Sequence, residues 1–168
     1  MTRLVVLIVV TLAVSFPKVA SACSCVVNPD QPFTIQPDSK GVFAIGLVKQ
    51  IRAFEANRLF HTVVVEITEP IWNAKTGDVI TFFTRTLDEA CGYDRFAPGG
   101  RYVIEGSYYV PAQPSPDPID RGVQDEQWRS VPAGSQIVWR CGKTQPLNTP
   151  EGNQALGEIR EAVRRLTK

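Results

Sequence analysis

The hydrophobic positions of this chain fall into five strand-like segments and a closing helical one. In "GVFAIGLVKQIRAF" (residues 41–54), Val42, Ala44, Gly46 and Val48 alternate with Phe43, Ile45 and Leu47, so both faces are apolar at first. Periodicity alone does not separate such a run from a helix. Its β-branched residues and Gly46 favour a long strand, bent at the glycine. "RLFHTVVVEITEPIW" (58–72) is the clearest strand, with three consecutive valines and Ile67. "VITFFTRT" (79–86), "RYVIEGSYYV" (101–110) and "SQIVWRC" (135–141) supply the third, fourth and fifth. The pattern changes only in "TPEGNQALGEIREAVRRL", where Leu156, Ile159, Val163 and Leu166 recur at three- and four-residue steps. Thr149 suits the cap of that helix and Pro150 its first position.

Between these elements lie turn formers. "NPDQPFTIQPDSKG" (28–41) reads as an extended or loop segment, and "NAKTGD" as a polar turn. Residues 111–132 separate strands four and five, and four prolines between 111 and 118 argue for an exposed, extended loop. Five strands with tight turns and a terminal helix predict a mainly β fold. The five-stranded Greek-key barrel called the OB-fold, with a C-terminal α-helix, fits the count.

The first residues change the picture of where the protein works. A short positive start precedes an apolar run from Leu4 to Phe16, and "PKVASA" then ends in Ala20-Ser21-Ala22. This is the pattern of a secretory signal peptide over residues 1–22. The run is shorter than the roughly 20 apolar residues that span a bilayer. The mature chain is then one domain, Cys23 to Lys168, secreted and extracellular, with no membrane contact. A bacterial lipoprotein also carries a cysteine after its cleavage site, but Ala20 stands where that signal usually has an aliphatic residue such as leucine.

Charge narrows the partners further. With 18 basic against 17 acidic residues, nothing attracts nucleic acid or an anionic surface. The aromatics Phe82, Phe83, Tyr102, Tyr108 and Tyr109 could stack bases on a barrel, but without a basic surplus they read as packing residues. "APGG" lacks the lysine and the strand–loop–helix setting of a phosphate loop. His61 is the single histidine, and it falls inside a strand. It cannot build a zinc site alone, and no GxSxG motif offers a serine for a triad. Asp88, Glu89 and Asp94 form a loose acidic group that reads as a solvated loop face. No catalytic residue is assigned, and the chain reads as a binding protein rather than an enzyme.

The cysteines carry the remaining signal. All four (Cys23, Cys25, Cys91, Cys141) lie in the mature chain, and an even count in an exported protein reads as two disulfides. Three connectivities are open, and Cys23–Cys25 is the least plausible because its ring is strained. The N-terminal strand is therefore expected to be tied near Cys91 and near Cys141. Cleavage after Ala22 would leave the α-amine and carbonyl of Cys23 together on a rigid backbone. Such a pair can chelate a metal through a five-membered ring. An α-amine titrates at roughly 7.7–8.0, so it is partly neutral at physiological pH. A zinc protease keeps one coordination position open for water.

The start Cys23-Ser24-Cys25-Val26, the motif Cys91-Gly92-Tyr93, the strand "YVIEG" (102–106) and Cys141 in "IVWRCGKTQPL" together resemble the tissue inhibitors of metalloproteinases (TIMPs), and more broadly netrin-like modules. The likeness runs from Cys23 to about residue 147. It implies an OB-fold barrel with disulfides Cys23–Cys91 and Cys25–Cys141. It implies that the amine and carbonyl of Cys23 bind the catalytic zinc of a target zinc metalloproteinase. The protein, a monomer, would need no cofactor of its own, because the zinc is shared with that protease. Ser24 would enter the pocket beside the zinc, and Val26 and Val27 would run along the substrate cleft. Glu89 and Ala90, before Cys91, would form a second contact ridge. The chain departs from the family in lacking a third disulfide and a cysteine-rich C-terminal domain. Val27 stands where proline is usual, and Glu89 adds a charge at a contact position.

Overall fold

The computed structural model describes residues 32–86, 92–111, 128–139 and 141–168. The leader, Cys23 to Val27, and Asp88 to Cys91 lie outside the described residues. The strands are β1 (Val42–Ala53), β2 (Phe60–Trp72), β3 (Val79–Arg85), β4 (Arg101–Tyr108), β5 (Gln136–Ile137) and β6 (Gln145–Pro146), followed by helix α1 (Pro150–Leu166). Neighbours run β1-β2-β3-β5-β4, and β4 pairs back onto β1 from Val42↔Gly106 to Leu47↔Arg101. The sheet thus closes on itself. β3 and β5 are parallel, and the other paired strands are antiparallel. This is a five-stranded OB-fold barrel with a C-terminal helix, as the strand pattern predicts.

Long strands close a small barrel only if they bend. The β1–β2 ladder shifts register at three places, one of them between Ile45 and Gly46. Such irregularities add local twist. A Cβ on Gly46 would sit 2.2 Å from Cγ1 of Val65, so the Val65 side chain fills the place a side chain here would take. A register shift thus falls beside this glycine, and the space a side chain would need there is already filled.

The doubly apolar start of β1 also finds its reason. Val42, Ala44 and Val48 face the barrel interior with Val63, Val65, Ile67, Phe82 and Ile104. Phe43 points the other way, into a second core with Ile35, Val103, Ala155, Ile159 and Ala162. Helix α1 covers that outer face. Of the four positions of its predicted stripe, Ile159 is buried in this core, and Leu156, Val163 and Leu166 pack against it half-buried. Burying one such aliphatic side chain is worth about 1.5–3 kcal/mol. Thr149 caps the helix as expected: its Oγ1 accepts the Gly152 N–H at 3.0 Å and donates to the Pro146 carbonyl at 2.8 Å.

Two expectations need correction. The fifth strand does not run through residues 135–141. It pairs with β4 at Gln136–Ile137, leaves the ladder, and returns at Gln145–Pro146. A proline in the second piece hid it, because proline reads as a break in a strand pattern. The stretch 111–132 is not exposed and extended throughout. At its far end Val131 is buried, and Trp128 packs on Phe60 with ring centroids 4.6 Å apart.

Candidate functional site

One end of the barrel gathers segments distant in sequence. β3 finishes there at Arg85, opposite Phe60 at the start of β2. The β1–β2 connection closes over it, with Phe54 N–H donating to the Phe60 carbonyl at 2.9 Å and Thr86 N–H to that of Leu59 at 2.9 Å. Asn57 Nδ2 donates to Ser130 Oγ at 3.1 Å, tying this connection to the segment before β5.

Gly92 is the first described residue after Cys91. A Cβ there would stand 1.9 Å from the carbonyl oxygen of Arg85. The chain therefore comes back against the end of β3, where only glycine fits. This is the physical content of the glycine in Cys91-Gly92-Tyr93. The next residue locks the return. Tyr93 N–H donates to buried Thr84 Oγ1 at 2.7 Å, and that hydroxyl donates back to the Tyr93 carbonyl at 3.0 Å. The Tyr93 ring enters the barrel interior against Phe96 and Tyr102. Its hydroxyl has no hydrogen-bond partner among the described residues, and burial pushes the phenol's pKa up.

Gly92 also forms an antiparallel bridge with Trp139. Cys141 follows Trp139 by two residues and is not a free thiol. The return from one loop thus lies beside the excursion of strand five. Beneath both is an aromatic floor. Trp139 packs on Trp128 at 4.9 Å between centroids, and Trp128 on Tyr109 at 5.6 Å. The Arg85 guanidinium lies 5.9 Å from the centre of the Phe60 ring. The hydrophobic pattern gave no hint of this floor, because its members come from four separate segments.

Of the sequence-singled residues, Cys23, Ser24, Cys25, Val26, Val27, Glu89, Ala90 and Cys91 lie outside the described residues, and Cys141 falls on the strand-five excursion. Phe82, Phe83 and Tyr102 are buried packing residues, whereas Tyr108 is exposed beside Lys40, whose ammonium lies 5.2 Å from its ring centre. His61 sits within β2, opposite Thr84. Among the described residues no three His, Cys, Asp or Glu side chains stand together as a metal site.

Sequence reasoning passed over Glu105. It lies on β4 opposite the strand-five excursion, and its carboxylate accepts the Lys143 N–H at 2.5 Å. Burial raises its pKa, opposed by that hydrogen bond and by the charge of Lys143. The Lys143 ammonium is turned away to Glu158 on α1 and holds that carboxyl below its usual range. Comparison with known proteins finds no family model and no curated protein that matches this chain.

Proposed function

We propose that the mature chain is a secreted, monomeric, TIMP-like inhibitor of zinc metalloproteinases, a binding protein rather than an enzyme. The α-amine and carbonyl of Cys23 chelate the zinc of the target and displace its water. Ser24 occupies the pocket beside that zinc, Val26 and Val27 follow the substrate cleft, and Glu89 and Ala90 touch the protease alongside. Disulfides Cys23–Cys91 and Cys25–Cys141 hold this edge on the barrel. The lack of a proline at Val27 leaves the strand less preorganised, which costs affinity.

The observation that carries the reading is the Gly92–Trp139 bridge. The chain neighbour of Cys91 is paired with a residue two positions before Cys141. Two cysteines one residue apart at the N-terminus, each bonded to one of these sites, need such a juxtaposition. A barrel with β3 parallel to β5 supports it, because the C-terminal ends of those two strands share one end of the barrel.

Adding one alanine before Cys23 tests the chemistry. The amine becomes an amide, whose nitrogen is a poor ligand, and new atoms stand where the zinc must be. Against a panel of metalloproteinases, the extended form is expected to lose inhibition while its thermal melting matches the parent. The same loss is expected as pH falls below about 7, because protons compete with metal for the amine. Equal inhibition by both forms removes chelation by Cys23. A parent that inhibits no metalloproteinase leaves a non-inhibitory netrin-like interaction module as the reading.

A further inference from the structure

The excursion of strand five has a definite size and a definite holder. Between its two pairings with strand five, β4 advances from Val103 to Ser107, while the partner strand runs from Gln145 back to Ile137. Four steps on one side thus face eight on the other. The surplus is a turn that carries Trp139, Cys141, Gly142 and Lys143, and Glu105 lies at the middle of the β4 stretch it bypasses.

The hydrogen bonds between Glu105 and this turn run to the turn's backbone and to Thr144. The Glu105 carboxylate accepts the Lys143 N–H at 2.5 Å. The Glu105 N–H donates to Thr144 Oγ1 at 3.0 Å, and that hydroxyl donates to the Glu105 carbonyl at 3.4 Å. A Cβ on Gly142 would stand 3.0 Å from Glu105 Oε2, so the carboxylate lies close over the turn's backbone. Within the turn, Gly142 N–H donates to the Trp139 carbonyl at 3.1 Å. The cationic end of Lys143 is engaged elsewhere, with Glu158 and 5.5 Å from the ring centre of Phe33. A mostly buried carboxylate therefore spends its acceptor on an amide one residue beyond Gly142 and two beyond Cys141. Burying a charged group carries a cost that a purely apolar β4 position would avoid.

The geometry points to Glu105 as a positioning residue that fixes the Cys141 turn against β4, and through it the disulfide-tethered N-terminal edge. The role of the turn in inhibition rests on the function proposed above. The fixing of the turn by Glu105 does not. Charge-assisted hydrogen bonds are the stronger ones, and a carboxylate aimed at one amide sets the turn's height above the sheet. Helix α1 holds the same residue from the other side, because Glu158 pairs with the Lys143 ammonium.

The test compares Glu105→Ala, Glu105→Met and Glu105→Gln in the full mature protein. Amide hydrogen exchange and inhibition of a metalloproteinase panel are both read. In Glu105→Ala the Lys143 amide is expected to exchange about 10- to 100-fold faster, while core amides such as that of Val63 keep the parent's protection. Glu105→Met keeps side-chain bulk without an acceptor and is expected to behave alike, which covers the case of an alanine variant that does not fold. Glu105→Gln retains an acceptor oxygen and is expected to bring the Lys143 amide back to within about threefold of the parent. Inhibition is expected to fall with the first two variants and to recover with the third. Parent-like exchange at Lys143 in Glu105→Met, or acceleration of every core amide by the same factor, overturns the assignment. So does a glutamine variant no better protected than methionine. A parent that inhibits nothing overturns the proposed function alone, because amide exchange still decides the role of Glu105.

Discussion

The two covered regions of the barrel are built differently. On the helix side, α1 lays Ala155, Ile159 and Ala162 onto Phe43 of β1 and Val103 of β4, and the contact is mainly aliphatic and drawn from three regular elements. At the loop end, Phe60, Phe83, Trp128, Trp139 and Tyr109 meet as aromatics from irregular segments, and only Phe60 and Phe83 are buried members on long strands. The first region is a continuous core layer that nothing can leave without exposing the sheet. The second is a platform under loops, where a few wide rings substitute for regular secondary structure. Rings with few rotatable bonds suit that task, since they fix position at low entropic cost. The difference assigns stability mainly to one side and surface shape mainly to the other.

Matched truncations give the largest expected effect. Ile159→Ala should cost about 3–4 kcal/mol of global stability in urea melts, since Ile159 is fully buried. Trp128→Ala, at a half-buried site, should cost less globally, about 2–3 kcal/mol. Its amide-exchange signature should concentrate in residues 128–139 and 141–144, whereas that of Ile159→Ala should spread over the barrel. Identical exchange patterns for the two would dissolve the distinction between regions.

The helix end offers a smaller handle. Thr149→Ala removes the acceptor for Gly152 N–H and the donor to Pro146. The expected loss is about 1 kcal/mol, read as a lower denaturation midpoint with the loop-end exchange rates unchanged. Altered exchange around Cys141 in this variant would mean that the cap supports the loop end as well.

The smallest expected effect joins the two regions through pH. Burial raises the folded-state pKa of Glu105 above its unfolded value. Its contribution is therefore fully present below the unfolded pKa and is lost as pH rises through the folded one. Glu105→Gln keeps the acceptor for Lys143 without the buried charge. It should flatten this part of the pH–stability curve and gain less than about 1 kcal/mol at neutral pH. A gain that grows as pH falls would reverse the sign and refute the assignment. Glu158 bends the curve oppositely, since its carboxyl is held down by Lys143 and its stabilisation fades as pH falls through the folded value.

Sequence periodicity determined the elements whose two faces have different neighbours. The β-branched run in residues 58–72 and the three- and four-step recurrence from Leu156 to Leu166 could each be satisfied in one way only, so strand and helix were legible. Thr149 and Pro150 fixed the helix start through local backbone chemistry. The doubly apolar opening of β1 announced burial on both sides, but not that a helix a hundred residues later supplies the outer cover. Gly92 was legible as part of a motif, while its cause, the carbonyl of Arg85, became visible only in three dimensions. The break in strand five, the packing of Trp128 on Phe60, and the role of Glu105 left no periodic trace. Each depends on partners far along the chain: Gly92 with Trp139, Trp128 with Phe60, Glu105 with Lys143. Local pattern reports what a residue needs, burial or a hydrogen bond. Closing the barrel decides which residue supplies it, because β4 returning to β1 brings together groups that chain proximity never would.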